Sequence, residues 1–114
     1  MAAPRHPDQE MRILPYLRED EKVLLTGMAQ SVEIAERLGR GQGEGWLFLA
    51  TNSLWHWVDG VNEPRCITRE INGVSTMRVV YPGIRQLTIR APEGTFNFYC
   101  GKKFCKDVAK LANG

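Results

Sequence analysis

The segment Gly45–Gly60 constrains the fold more than any other part of this chain, because it alternates like two strands joined by a tight turn. The large apolar residues of each half fall two positions apart, which is the spacing of one face of a strand. Asn52-Ser53 stands between the halves, and Asn tolerates the backbone angles of a tight turn. The aromatic positions are Trp46 and Phe48 in the first half and Trp55 and Trp57 in the second. The segment therefore predicts a β-hairpin in a β-rich fold.

Length and composition predict one ordinary globular domain. The chain has 114 residues, of which 43% are hydrophobic and 25% charged, and such a chain builds a single core. The net charge of +2 is well below that of dedicated nucleic-acid binders, so no nucleic-acid partner is expected. The N-terminus lacks the apolar stretch of a signal peptide. Three cysteines, Cys66, Cys100 and Cys105, are an odd number without a framework spacing, which favours reduced thiols and a cytoplasmic location.

The region before the hairpin has weaker signals. Residues 1–16 are expected to be a tail or a short helix, with the helical spacing strongest over Glu10–Leu17, and residues 17–114 form the domain. Val23–Met28 is the first predicted strand. Ser31–Leu38 fits either a strand extension or a helix, because its apolar residues suit both periods. The glycine-rich run Gly39–Gly45 predicts a flexible loop.

After the hairpin, turn residues divide the chain into four more strands. Asn72-Gly73 predicts a hairpin turn, and Pro82-Gly83 fits a type II turn. Phe104, Val108 and Leu111 recur at helical spacing and predict a closing amphipathic helix. The predicted elements are strands over Arg65–Ile71, Val74–Tyr81, Ile84–Ala91 and Thr95–Cys100, then a helix over Lys102–Ala112.

Seven strands followed by one helix is the order of the pleckstrin-homology superfold, and residues 17–112 resemble its bacterial pleckstrin-homology-like and GRAM-type members. The resemblance rests on EDEKV at Glu19–Val23, WLFLATNSL at Trp46–Leu54, ITREINGV at Ile67–Val74 and the closing segment Phe96–Leu111. It implies a bent seven-stranded antiparallel barrel, half open and capped by the C-terminal helix. Members of the family bind phosphoinositides, peptides or proteins, and several bacterial ones form rings. The resemblance implies no enzymatic activity.

The residues themselves also predict no reaction. Cys100 and Cys105 are separated by four residues, but zinc sites usually need two close pairs of ligands, and the two histidines are far away in sequence. His56 lies on the same predicted face as Leu54, which favours a packed, hydrogen-bonded histidine over a catalytic one. No metal, cofactor or catalytic residue is therefore expected, and the chain is predicted to be a non-enzymatic binding module.

The predicted function is protein–protein recognition. The partner is expected to be another protein or a further copy of this chain. If a phage encodes the chain, the partner would be a host protein. If Leu54, His56 and Val58 face the core, Trp55 and Trp57 share a more exposed face and could anchor a partner together with Tyr99. In the opposite register, Leu54, His56 and Val58 are the exposed residues. A second layer, for which Met11–Leu17 is a candidate, could instead cover the tryptophans.

The alternative function is peripheral binding to a membrane surface or a phosphoinositide. Its basic residues would be Arg37 and Arg40 of the glycine-rich region with Lys102, Lys103 and Lys106 of the closing helix. The Arg-x-Arg pair common in phosphoinositide-binding relatives is missing, and Glu33, Glu36 and Glu44 would oppose an anionic head group.

Overall fold

The computed structural model describes residues 7–33, 44–51, 53–58 and 63–112. A short helix and a 3-10 turn precede seven strands, and a second helix closes the chain. The elements are α1 (Pro7–Ile13), the 3-10 turn (Leu14–Tyr16), β1 (Val23–Ser31), β2 (Glu44–Ala50), β3 (Leu54–Val58), β4 (Arg65–Thr68), β5 (Gly73–Arg78), β6 (Ile84–Ala91), β7 (Gly94–Gly101) and α2 (Lys102–Ala112).

The strands form one antiparallel sheet in the order β4-β3-β2-β1-β7-β6-β5. It consists of two meanders, β1 to β4 and β5 to β7, which join where β1 pairs with β7. The mainly β class, the seven strands and the closing helix are thus confirmed.

Two expectations about strand connection are wrong. The sheet is not closed into a barrel, because β4 and β5 are its two edges and do not pair with each other in the described chain. For the same reason Asn72-Gly73 is not a hairpin turn between neighbouring strands. The Asn72 N–H instead donates to the carbonyl of Arg90 at 2.7 Å and prolongs the β5–β6 pairing. The residues between Thr68 and Gly73 therefore connect one edge of the sheet to the other.

The local signals are confirmed where neighbouring strands do pair. β2 and β3 form the predicted hairpin, with Trp46 opposite Trp57 and Phe48 opposite Trp55. Of the predicted turn Asn52-Ser53, Asn52 lies outside the described residues, and the Ser53 carbonyl accepts a hydrogen bond from the Ala50 N–H at 2.9 Å. The turn at Pro82-Gly83 is also found, since Gly83 has a φ of +77° and the Ile84 N–H donates to the Tyr81 carbonyl at 3.3 Å.

The elements before β2 differ in their limits from the sequence expectation. The predicted helix over Glu10–Leu17 begins earlier and ends at Ile13, because Pro15 falls in the 3-10 turn that follows. β1 extends to Ser31, so the ambiguous segment Ser31–Leu38 begins as strand, and residues 32–33 are helical. The rest of that segment from residue 34, and the glycine-rich run up to residue 43, lie outside the described residues.

Each face of the sheet packs against its own apolar layer. The inner face meets α2, and the residues buried there include Leu47, Leu54, Leu87 and Phe98. On α2, Cys105 and Val108 are buried, whereas Leu111, expected on the apolar face, is 51% exposed. The outer face of β2 and β3 meets the N-terminal segment (Pro7–Leu17) in a second apolar cluster. No helix among the described residues has both the length and the apolarity needed to cross a bilayer.

Candidate functional site

Trp55 and Trp57 lie on the outer face of β3 beneath the N-terminal segment, and only 5% and 6% of their surfaces are accessible. The guanidinium of Arg12 lies 4.7 Å from the ring centroid of Trp57, and the Tyr16 ring is 6.1 Å from that of Trp55. Ile13 is fully buried and belongs to the same apolar cluster as the two tryptophans. The covering layer expected as an alternative to exposed tryptophans is therefore what the structure has. These rings are not an accessible anchor in this arrangement.

A buried carboxylate ties the start of β1 to the β2–β3 turn and the end of β4. Glu21 accepts hydrogen bonds from Ser53 Oγ at 2.5 Å and from Arg69 Nη1 at 2.6 Å. The Arg18 N–H donates to the same carboxylate at 3.1 Å. Burial raises the pKa of Glu21, but these hydrogen bonds and the charge of Arg69 outweigh it and leave the pKa below its usual value.

Ser53 is the centre of that network, because its hydroxyl also accepts a hydrogen bond from Trp55 Nε1 at 2.7 Å. The Arg69 guanidinium lies 5.1 Å from the Trp55 ring centroid and closes the outer side. Every member is thus paired with another, and the network positions strands without presenting a reactive group.

The remaining candidates for chemistry are packing residues. Cys100 and Cys105 are buried at the junction of β7 and α2, and a hydrogen bond with Cys105 together with burial raises the pKa of the Cys100 thiol. His56 is buried against Phe98, with ring centroids 5.3 Å apart. Burial lowers the pKa of His56, and a hydrogen bond with the Ala29 backbone opposes that shift. His56 Nε2 has no hydrogen-bond partner among the described residues.

The outer face of the sheet beyond the N-terminal segment carries an accessible apolar surface. Met77, Gln86, Tyr99 and Gln30 are successive partners across β5, β6, β7 and β1, so their side chains share the outer face. Met28 and Ile84 stand two residues from Gln30 and Gln86 on the same face. We call this surface the outer patch, formed by Met28, Met77, Ile84 and Tyr99.

A second accessible surface continues from the outer patch to the end of the β5–β6 hairpin. Val80 is 92% exposed and Tyr81 is 61% exposed. The N–H of Lys102 donates to the carbonyl of Gly83 at 2.8 Å, which places the first residue of α2 beside the turn. We call Val80, Tyr81 and Pro82 the tip.

The predicted site residues therefore have different positions. Tyr99 is half-buried in the outer patch, while Trp55 and Trp57 are covered. Lys102, Lys103 and Lys106 are exposed on α2, with Lys103 Nζ 4.0 Å from a carboxylate oxygen of Asp107. Arg37 and Arg40 lie outside the described residues.

Sequence reasoning missed the outer patch and the tip. The available signal was the run Val79–Ile84, where a turn is flanked by apolar residues although turns are usually polar. Met28 and Met77 gave no signal of their own, because their face depends on pairing with distant strands.

Three comparisons with known proteins place this chain in no group. No family model, no curated protein sequence and no solved structure matches it.

Proposed function

We propose that this chain is a non-enzymatic binding module of pleckstrin-homology-like architecture that binds a protein partner through the outer patch. The strand order in two meanders and the helix on the inner face support the architecture. The catalytic alternatives have little support, because the buried thiols and His56 are packed in the core and the Glu21 carboxylate is fully paired.

The observation that carries the proposal is the exposure of large apolar side chains on adjoining strands. Met28 is 64% exposed and Met77 is 55% exposed, whereas the same outer face is covered over β2 and β3. Methionine and tyrosine are enriched at protein interfaces relative to other surfaces. Gln30 and Gln86 lie between the apolar residues, and the Gln86 amide donates to Asn97 Oδ1 at 3.1 Å.

Trp55 and Trp57 have a supporting role in this proposal. They hold β2 and β3 against the N-terminal segment and so fix the neighbouring strand β1, which carries Met28. Tyr99 remains the predicted contact residue, because its position on β7 is the centre of the outer patch.

The test is capture of partners from a bacterial lysate with three forms of the chain in parallel. The patch variant combines Met28→Ser with Tyr99→Ser, and the control Leu111→Ser removes an equally accessible leucine from α2 on the other face. We expect a protein retained by the wild type and the control to be lost by the patch variant. Light scattering of each form over a concentration series measures binding to a second copy.

Both variants must keep a cooperative thermal transition, which shows that any loss is local. The proposal is contradicted if the patch variant retains the same proteins and the same oligomeric state as the wild type.

A further inference from the structure

We propose that Cys100 and Cys105 form a reversible disulfide when the folded chain meets hydrogen peroxide, which makes the junction of β7 and α2 a site of oxidative modification. Both cysteines belong to the inner apolar cluster, so the site is separate from the outer patch and goes beyond protein binding. The product is a covalent bond between the last strand of the sheet and the helix that covers its inner face.

The two thiols are in contact where β7 passes into α2. Cys100 is the penultimate residue of β7 and Cys105 lies in the first turn and a half of α2. The Cys100 thiol donates a hydrogen bond to the Cys105 sulfur. Cys105 Sγ also lies 3.7 Å from the carbonyl oxygen of Arg85, the residue that pairs with Cys100 across β6 and β7. The fold therefore holds the two sulfur atoms together, so that bridging them needs little backbone movement.

The surroundings of the pair distinguish an attacking sulfur from its partner. The hydrogen bond from the Cys100 thiol outweighs burial and lowers the pKa of Cys105, and the charge of Arg85 and the Cys100 N–H act in the same direction. The same hydrogen bond, together with burial, raises the pKa of Cys100. Because the thiolate is the nucleophile, Cys105 is the sulfur that attacks the oxidant and Cys100 the one that follows.

The reaction consumes one hydrogen peroxide in two steps. The Cys105 thiolate attacks a peroxide oxygen, the O–O bond breaks, and the sulfur is oxidised to a sulfenic acid. The other oxygen leaves as hydroxide and takes up the proton that Cys105 had released, giving water. The Cys100 sulfur then attacks the Cys105 sulfur and loses its proton, the S–O bond breaks, and the hydroxide leaves with that proton as a second water. Two thiols and one peroxide thus give one disulfide and two waters.

Burial of the pair selects a small oxidant. Cys105 is fully buried and Cys100 is 2% exposed, which is the packing of the reduced state. The first turn of α2 is nevertheless at the surface, since Lys102 and Lys103 are exposed on it. Ends of helices open with little free energy, and hydrogen peroxide is close to water in size, so opening of this one turn admits it.

The experiment is treatment of the folded full chain with hydrogen peroxide, followed by blocking of free thiols and mapping of tryptic peptides by mass spectrometry. Trypsin cuts after Lys102 and Lys103. Cys100 and Cys105 therefore fall in separate peptides, and Cys66 falls in a third. We expect the first two to be joined by a disulfide that a thiol reductant separates again. Burial raises the pKa of Cys66, so its oxidation should be at least about tenfold slower.

Cysteine variants assign the two steps. In Cys100→Ala the sulfenic acid on Cys105 has no partner, so dimedone should trap it there. In Cys105→Ala dimedone should not label Cys100, because the pKa of that thiol is raised by burial as well as by the missing hydrogen bond. Cys66→Ser is the matched control and should form the disulfide as fast as the wild type. Each variant must keep a cooperative urea transition.

A pair of arginine variants tests the charge beside the thiols. Arg85→Gln removes the cation that favours the Cys105 thiolate and should slow disulfide formation at least about threefold. Arg78→Gln removes an exposed cation from the position opposite it on β5 and should leave the rate unchanged.

The inference is overturned if peroxide that oxidises Cys66 leaves the other two peptides unjoined, if the disulfide joins Cys66 to either of them, or if the oxidised chain has lost its cooperative transition. Equal dimedone labelling in the two alanine variants would also overturn it. The test is separable from that of the proposed function. A chain that forms the disulfide but captures no protein contradicts the proposed function alone, and one that captures protein without forming the disulfide contradicts this inference alone.

Discussion

The ring of Phe104 lies directly against the backbone of Gly27, where α2 crosses β1. A Cβ on residue 27 would be 2.5 Å from Phe104 Cδ1 and 2.7 Å from Cγ. Glycine is thus required here by the close approach of a helix side chain and not by a turn. This contact fixes the distance between α2 and the inner face of the sheet.

Gly27→Ala should destabilise the fold by about 1–3 kcal/mol, because the methyl group overpacks the contact with a ring that is anchored close to its own backbone. Urea unfolding measures the change. Phe104→Leu in the same chain should recover part of the loss, whereas two additive effects would show that the residues are not coupled.

Glu21→Gln should destabilise the fold by about 1–3 kcal/mol at neutral pH, since Ser53 and Arg69 donate to different oxygens of the carboxylate and an amide has only one oxygen to accept them. The change should lie toward the lower end of that range, because the Arg69 side chain is 38% exposed and its charge is partly screened. Glu19→Gln, which changes an exposed carboxylate on the same loop, is the control.

The acid dependence of stability should also change in that variant. Folding lowers the pKa of Glu21 from its ordinary 4.5, so its contribution is complete well above pH 4.5 and is lost as the pH falls through the lower, folded value. A Glu21→Gln chain should therefore lose less stability than the wild type in that range. Identical acid profiles for both chains would contradict the role assigned to this carboxylate.

Protonation of His56 should cause a second loss of stability as the pH falls, in a range above that of Glu21. Burial lowers the pKa of His56 below its ordinary 6.5, so the unfolded chain takes up a proton first as the pH falls. Stability should decline from near pH 6.5 down to the folded pKa, and His56→Leu should remove that part of the decline. Thermal unfolding between pH 5 and 8 measures it, and an unchanged slope in the variant would contradict the prediction.

Ile13→Ala should reduce the free energy of unfolding by about 2–5 kcal/mol, because this side chain of the N-terminal segment is fully buried in the apolar cluster with the tryptophans. The emission of the tryptophans should shift to longer wavelength if the segment separates from the sheet. Leu14→Ala is the matched control, since its side chain is 56% exposed and its loss should change stability by less than about 0.5 kcal/mol. A small effect of Ile13→Ala would mean that the segment contributes little to the fold.

Local signals in the sequence were sufficient for the elements that pair with their neighbours along the chain. The alternation of Trp46 to Trp57 and the chemistry of Pro82-Gly83 both act within a few residues, and both predictions are confirmed. Asn72-Gly73 has an equally good local signal, but β4 and β5 are separated by five strands of the sheet. A turn residue specifies a local angle and not the strand to which the chain goes next.

The candidate site was harder to predict for the same reason. Whether Trp55 is covered depends on where Ile13 packs, and the outer patch depends on the pairing of β1 with β7. The face on which Tyr99 lies could be predicted, because its alternation with the buried Phe98 is local. Met28 was missed, because its exposure is decided by the point at which the N-terminal segment stops covering β1.

The union of the two meanders through β1 and β7 has a consequence for how the chain reaches its folded state. Ala29 pairs with Cys100, so this junction closes a loop containing most of the protein, while every other strand pairs with its neighbour in sequence. Long loops cost more entropy to close and slow the search for the native topology. We expect each meander to collapse early and the seam between them to set the folding rate, with α2 arriving last because Phe104 needs Gly27 already in place.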